Sequence, residues 1–295
     1  MKTKQTAVDM IFNTVNYLGM LVFTFLCVYP FYYIFIYSIS DPDKAMKGLT
    51  FLPKGFTTAN YQMLLKLQDI PGAFVISLLR TVLGTIITIL CCTFFAYLMT
   101  ITYMWYRKLI YRFAIITMYF NAGIIPWYMT MKALGLKDSF FLYIIPSALS
   151  AFYIILIKTY IEQLPISLSE SAMLDGAGTV KIFASIIFPL SKPIIATIAV
   201  FSAVAQWSSW FDNLLLVSNA RLQTLQLILY QYLNSTQVLS NMSALDLANG
   251  SATKAVTPQS IQVTITMITT FPILFSYPFM QRYFVKGIMV GAVKG

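Results

Sequence analysis

The chain has 295 residues, 58% of them hydrophobic and only 10% charged, with a mean hydropathy of +0.74. Ordinary soluble domains carry about 25% charged residues, and a water-facing fold of this length cannot hide so much apolar surface. Composition therefore excludes an ordinary soluble protein and points to a bilayer, where lipid is the solvent for the outward faces. The net charge of +10 does not mark a nucleic-acid binder, because the cations stand at the ends of apolar runs and form no basic stripe with interleaved aromatics.

A membrane span needs about 20 predominantly apolar residues. Segments that qualify lie at 12–38, 73–99, 109–130, 140–160, 193–217 and 261–283. The first is too long for the apolar core of a signal peptide and no small-residue cleavage site follows it, so a retained span is expected. The connection 39–72 carries Pro53, Gly55, Pro71 and Gly72, with a short helix expected at Thr58–Leu67. In the second span one lone charge, Arg80, lies within two turns of the outer end, where snorkelling to the interface is the expected behaviour. The third span contains Asn121, Gly123 and Pro126, and the fourth contains Pro146. These prolines, with Pro30, Pro272 and Pro278, read first as kinks, tolerated where neighbouring helices satisfy the freed backbone groups. The connection 218–260 ends in a polar stretch, Asn234–Ser260, rich in Ser, Thr and Asn. Cys27, Cys91 and Cys92 lie inside apolar runs without a CxxC pair and read as small hydrophobes. Histidine is absent, which removes the commonest general base and metal ligand.

With the N-terminus in the cytoplasm, the internal pieces carry 11 cations and the external pieces 8. The external loops are longer and count for less, so the charge bias predicts both termini inside.

The internal loop 161–192 holds the densest local signals. Ser167 with Glu170 three residues on reads as a capping box, and Gly176 is placed to close the helix that follows. Thr179 is expected to cap a second helix over Val180–Phe188, ended by Pro189 and Pro193. The hairpin carries Met173, Leu174, Ile182, Phe183, Ile186 and Ile187, more apolar surface than a free loop needs, so part of it must face a partner or the bundle.

The run Glu170-Ser171-Ala172, then Asp175-Gly176-Ala177, then Ile186-x-x-Pro189-Leu190 resembles the EAA loop of ABC-importer permeases. Its spacing matches throughout, with Ser171 standing where the family pattern has alanine. Phe51-x-Pro53-x-x-Phe56-Thr57-x-x-Asn60-Tyr61, Leu134-Gly135-Leu136 with Asp138-Ser139, and the ending Gln281–Gly295 are similar to segments of the carbohydrate-uptake permeases related to the smaller maltose permease. Phe120–Pro126, Gln206–Asp212 and Tyr277-Pro278-Phe279 resemble a subgroup in Gram-positive and related bacteria associated with complex oligosaccharides.

The resemblance covers nearly the whole chain and implies an all-α transmembrane fold. It would be one six-helix type I ABC importer permease domain (MetI-like) over 1–295, with 161–192 as a cytoplasmic coupling-helix loop. It implies that Glu170, Ser171, Ala172, Asp175, Gly176, Ala177 and Pro189 meet the ATPase, with Glu170 facing a basic residue there. The implied partners are a homologous second permease in a heterodimer, two ABC ATPase subunits, an extracellular solute-binding lipoprotein, the sugar substrate and the lipid bilayer. The implied location is the bacterial cytoplasmic membrane. No cofactor is expected in this chain. It has no GxxxxGK followed by Ser or Thr, so ATP and Mg are expected on the partner ATPases, and the chain itself is not read as an enzyme.

Sugars stack on aromatic rings and take hydrogen bonds from polar side chains. The midspan residues of that kind are Tyr29, Phe120, Asn121, Trp127, Tyr128, Trp207, Trp210, Asp212 and Tyr277. Packing is the simpler role for most of them in a chain with 16% aromatics. The best cluster is Asp212 with Trp207 and Trp210, because an acid at membrane depth needs a reason. The alternatives are an ABC permease for a non-sugar solute such as a peptide, a secondary transporter and a membrane enzyme. A secondary transporter would need more intramembrane carboxylates and internal repeats. An enzyme would need a catalytic constellation that the sequence lacks.

Overall fold

The computed structural model describes residues 7–45, 47–48, 51–67, 70–234 and 258–292, with side chains undescribed from 277 onward. Those residues form helices and connections only, with one isolated bridge between Ser40 and Phe56. In chain order the helices are α1 (Ala7–Ser38), α2 (Pro42–Ala45), α3 (Ala59–Leu67), α4 (Ile70–Thr100), α5 (Arg107–Tyr119), α6 (Ile124–Ala133), α7 (Ala151–Ile161) and α8 (Ser167–Leu174). There follow α9 (Thr179–Ile182), α10 (Phe188–Leu190), α11 (Lys192–Ser208), α12 (Phe211–Leu216), α13 (Leu225–Asn234) and α14 (Pro258–Ala292). Two described helices, Val8–Ser38 and Ile70–Thr100, are long and apolar enough to cross a bilayer. A third crossing results if Thr179–Leu190 and Lys192–Ser208, bent by 81° at Ser191, count as one span. The expected polar stretch at Asn234–Ser260 falls mostly outside the described residues.

The chain divides into two compact units, 1–68 with 231–271 and 69–230 with 272–295. In the first, α1 runs unbroken through Pro30 and exposes most of its apolar side chains. The connection after it is pinned by Asn60, fully buried, whose Nδ2 donates to the carbonyls of Ser38 at 2.9 Å and Ser40 at 3.1 Å. The helix expected at 58–67 is α3. Tyr37, Leu64, Ile261 and Ile265 are buried core residues of this unit.

The second unit is built around α4, which packs on α11 and α7, with α5 against α4 and α7. Its buried face carries small residues, Ser77 and then, at one-turn spacing, Gly84, Thr88, Cys92 and Ala96. Small residues let backbones approach in a membrane bundle, where lipid gives no hydrophobic drive for association. That face also meets irregular backbone. The segment expected as a span at 140–160 is instead a short 3-10 turn, Phe140–Tyr143, a bend through Pro146, and then α7. Proline has no N–H and disfavours the helical conformation in the residue before it. The carbonyls that this break frees are taken up by α4. Thr88 donates to the carbonyl of Ser147 at 2.9 Å, and the Cys92 thiol donates to that of Ala148 and accepts from the Ser150 N–H. Irregular backbone survives at membrane depth only where protein satisfies it in this way.

Two more expected spans are broken. The segment 109–130 stops at Tyr119 and resumes at Ile124, with Gly123 at φ +83° between. The segment 193–217 stops at Ser208 and resumes as α12 at Phe211. All three breaks lie beside the same cavity.

Candidate functional site

The cavity, about 710 Å³ in volume, lies within the second unit. The α4 face supplies Arg80 and Thr88, the 120–124 break supplies Asn121, and α6 supplies Trp127. The bend before α7 supplies Tyr143, Ser147 and Ser150, and the α11–α12 corner supplies Ser202, Gln206, Ser209 and Asp212.

Arg80 does not snorkel. It is 3% exposed, facing the bundle rather than lipid. Its Nη2 donates to Asp212 Oδ2 at 2.5 Å, and Nη1 donates to Asp212 Oδ1 at 3.1 Å and to the Ser209 carbonyl at 3.2 Å. Nε donates to Gln206 Oε1 at 3.1 Å, and the Tyr143 ring lies 4.6 Å below the guanidinium carbon. Gln206 passes the network on, its Nε2 donating to Ser147 Oγ at 2.6 Å. Asn213 Nδ2 reaches the Tyr143 hydroxyl and the Leu222 carbonyl. Snorkelling is not needed, because the charge finds its partner inside the bundle. A buried ion is tolerated where an opposite charge and further donors complete it, and the fork of a guanidinium fits a carboxylate in two-point fashion.

The helix break at Ser209–Trp210 serves this arrangement. Ser209 is extended, which frees its carbonyl for Arg80. Asp212 stands in the first turn of α12, where Asn213 N–H and Ser209 Oγ also donate to its Oδ1.

Of the nine midspan residues expected on a sugar path, Asn121, Trp127 and Asp212 line this cavity. Phe120 lines a smaller neighbouring pocket of about 420 Å³ with Asn121 and Trp127. Tyr128 packs against the cluster around Leu142, Tyr143 and Leu216. Trp207 and Trp210 do not line the larger cavity beside Asp212. Trp207 is buried against Phe74, ring centroids 5.9 Å apart, and Trp210 stacks on Tyr230 at 4.1 Å. Tyr29 belongs to the first unit, beside Phe25 and Phe51. Tyr277 lies outside the described side chains. Sequence reasoning missed Gln206, Tyr143 and Ser147 as members of the site. The available signal was the pair itself, one cation and one acid in apolar runs that must neutralise each other.

A second clamp holds the segment after α12. Asp138, at φ +54°, accepts the N–H groups of Asn219 at 2.9 Å and Ser218 at 2.5 Å, while its own N–H donates to the Leu216 carbonyl. The backbone N–H of Asn219, then that of Ser218, hold its carboxyl below the usual range.

The loop 161–192 is a helical hairpin. α8 starts at Ser167, preceded by Ile166, and no side chain caps it. The capping box is therefore absent, because Ser167 lies inside the first turn instead of ahead of it. At the other end Gly176, φ +79°, closes the helix with the Ala177 N–H on the Ala172 carbonyl and its own N–H on that of Met173, the paired bonds of a Schellman motif. Thr179 is likewise the first residue of its helix, with Gly178 ahead of it. The second arm continues from α9 through a π turn, Phe183–Ile187, and ends at Leu190, between Pro189 and Pro193 as expected. Phe183 ties this arm to α4, its ring 5.1 Å from Phe94 and stacked at 5.7 Å on Tyr97. Leu174 and Val180 stay 89% and 67% exposed, so the tip of the hairpin is an apolar surface, while Ile182 and Ile187 join the core. Glu170 lines a groove of about 320 Å³ with Met173, Tyr103 and Ile166.

A mostly helical chain with long apolar helices, a cavity at its helix breaks lined by apolar and polar side chains, and an apolar-tipped hairpin fits a transport subunit. No protein-family model matches the sequence. Among individual proteins, it is 34% identical to Protein LplC of Bacillus subtilis (strain 168) over 92% of this chain and 90% of that one. It is 31% identical to the polygalacturonan/rhamnogalacturonan transport system permease protein YtcP of the same organism, over 97% and 99%. A crystal structure of a bacterial ABC transporter involved in the import of the acidic polysaccharide alginate superposes with a TM-score of 0.87 at 28% identity, covering 96% of this chain and 100% of that one. The chain belongs to the ABC-importer permease family of the carbohydrate-uptake type. It is a membrane component of a transporter rather than an enzyme.

Proposed function

We propose that this chain translocates an oligosaccharide or polysaccharide fragment across the bacterial cytoplasmic membrane as one of two homologous permeases in a heterodimer. Two ATPase subunits, binding ATP and Mg, and an extracellular solute-binding lipoprotein complete the importer. The chain acts as one six-span transmembrane domain, with the broken helices at 109–130, 140–160 and 193–217 crossing as composite spans and both termini in the cytoplasm. The observation that carries this reading is near full-length similarity to a polysaccharide-transport permease and to an alginate importer, supported by a cavity of sugar-binding size. Its aromatic and hydroxyl lining suits rings with an apolar face and a polar edge.

The hairpin 161–192 is the docking element, with Glu170, Ser171, Ala172, Asp175, Gly176 and Ala177 on its first arm and closing turn and Pro189 on its second. The exposed apolar tip supports docking, and the Phe183 stack on α4 supplies a rigid path from the docking surface into the bundle. Two substitutions test it in membranes at equal permease level. Glu170→Ala removes a partner for an ATPase cation, a loss worth about 2–5 kcal/mol of association when the pair is desolvated. Gly176→Val forces a β-branched residue to positive φ, at about 1–2 kcal/mol, with nothing within 4 Å for its Cβ to strike. Both proteins should insert normally, yet retain less ATPase on purification and take up less oligosaccharide. Full ATPase retention and full uptake in both would reduce this loop to a surface hairpin.

A further inference from the structure

Which carbohydrates the cavity accepts is a question that rests on the carbohydrate reading and is decided by charge. Among the described residues lining it, the only formal charges are Arg80 and Asp212, and they cancel. The two differ in access. The Arg80 side chain is 4% exposed and that of Asp212 is 14% exposed, so the acid lies nearer the open volume. The cation is largely engaged: Gln206, Ser209 and both oxygens of Asp212 take four of its five N–H donors, Tyr143 covers a face, and the remaining Nη2–H belongs to a side chain only 4% exposed.

The acid is not saturated. Oδ1 accepts from Arg80, Ser209 and Asn213, whereas Oδ2 accepts only from Arg80 Nη2. A carboxylate oxygen offers about two acceptor directions, so Oδ2 keeps one. What fills it must be a donor. A saccharide hydroxyl is one. A uronate carboxylate has no proton to give at neutral pH and brings a second negative charge to the same spot, where the charge of the cation is already neutralised by Asp212.

We infer that Asp212 Oδ2 is a specificity-determining acceptor for a saccharide hydroxyl, and that this cavity selects uncharged over carboxylated saccharides. Arg80 is the positioning residue that aims the carboxylate. On this inference the acidic polymers in the names of YtcP and the alginate importer are not what this cavity favours.

The test uses the assembled importer, both permeases with their ATPases, purified without its binding protein so that only the membrane site selects. Saturation-transfer difference NMR is recorded with an equimolar mixture of galactotriose and trigalacturonate, which differ at C6 by CH2OH against COO−. The neutral sugar should take the larger signal by about tenfold, the scale of one like-charge contact. Asp212→Asn removes the acid and leaves the Arg80 cation uncompensated, so the ratio should shift at least about tenfold toward trigalacturonate. The double variant Arg80→Gln with Asp212→Asn removes both charges and guards against misfolding of the single variant; its ratio should fall between the two. A wild-type preference for trigalacturonate, or one ratio across all assembled variants, overturns the inference and leaves the carbohydrate reading standing. Silence from both saccharides removes that reading, and this inference with it.

Discussion

Gly84→Ala sets two principles against each other. Alanine is worth about 1 kcal/mol over glycine inside a helix, so propensity alone forecasts a more stable α4. The packing forecasts the reverse. A Cβ on Gly84 would lie 2.5 Å from Gln206 Nε2, 2.7 Å from its Cδ and 3.2 Å from its Cγ. The middle of the side chain is struck, not only its tip, and Gln206, 5% exposed, is held in place at both ends of its amide by Ser147 and Arg80. Moving it breaks the bond to Ser147 and the bond from Arg80. A neutral bond contributes about 1 kcal/mol and one from a charged donor about 1.5–3, with overpacking strain of about 1–3 on top. Net of the propensity gain, the variant should lose about 3–5 kcal/mol. Gln206→Ala opens the space that the methyl needs, so the double variant should recover part of that loss, with a coupling of about 1–3 kcal/mol. The assay is the denaturation midpoint of the purified permease complex in detergent for wild type, both single variants and the double. A Gly84→Ala protein as stable as wild type, or a double variant whose losses simply add, would refute the close approach of α4 and α11.

Asp138 gives a pH dependence with a definite sign. Its carboxyl is held low in the folded chain, so its contribution is present above the unfolded value near 3.9 and is lost as pH falls through the lower folded value. The melting-midpoint advantage of wild type over Asp138→Asn should therefore be constant from pH 6 to about 4.5 and shrink below about 3.9; an advantage that grows on acidification would contradict the clamp on Ser218 and Asn219. The proposed topology is checked by cysteine accessibility at Asn249 and Lys181 in intact cells, where the first should label from outside and the second should not. Labelling of both from one side would sink it.

The helical, membrane-borne character of the chain and the position of the hairpin 161–192 are legible in the sequence, because they rest on apolar run length and on a spaced motif. Gly176 is legible too, since a left-handed closing residue is a local requirement. The breaks are only half legible. Pro146 and Gly123 announce them, but a kinked span and a span divided in two have the same sequence signal, and the decision lies with distant groups such as Thr88 and Cys92 that engage the freed backbone. The capping box failed for a related reason: Ile166 already has helical φ and ψ, so the chain enters α8 one residue early and Ser167 has no N-terminal turn ahead of it to cap. The site is least legible where two residues far apart in sequence complete each other. Arg80 and Asp212 are 132 positions apart, and each alone invites a solvent-facing explanation.

The 81° bend at Ser191 makes the second arm of the hairpin and α11 the two limbs of a bell crank. Ser191 is fully buried at the pivot. The 17 residues of α11 extend about 25 Å, so a turn of about 5° at the pivot, carried rigidly, sweeps the far end by about 2 Å. That end carries Gln206 and leads into Ser209 and Asp212, whose bonds to Arg80 do not stretch so far. A rotation of that size that left α4 in place would part Arg80 from Gln206, Ser209 and Asp212.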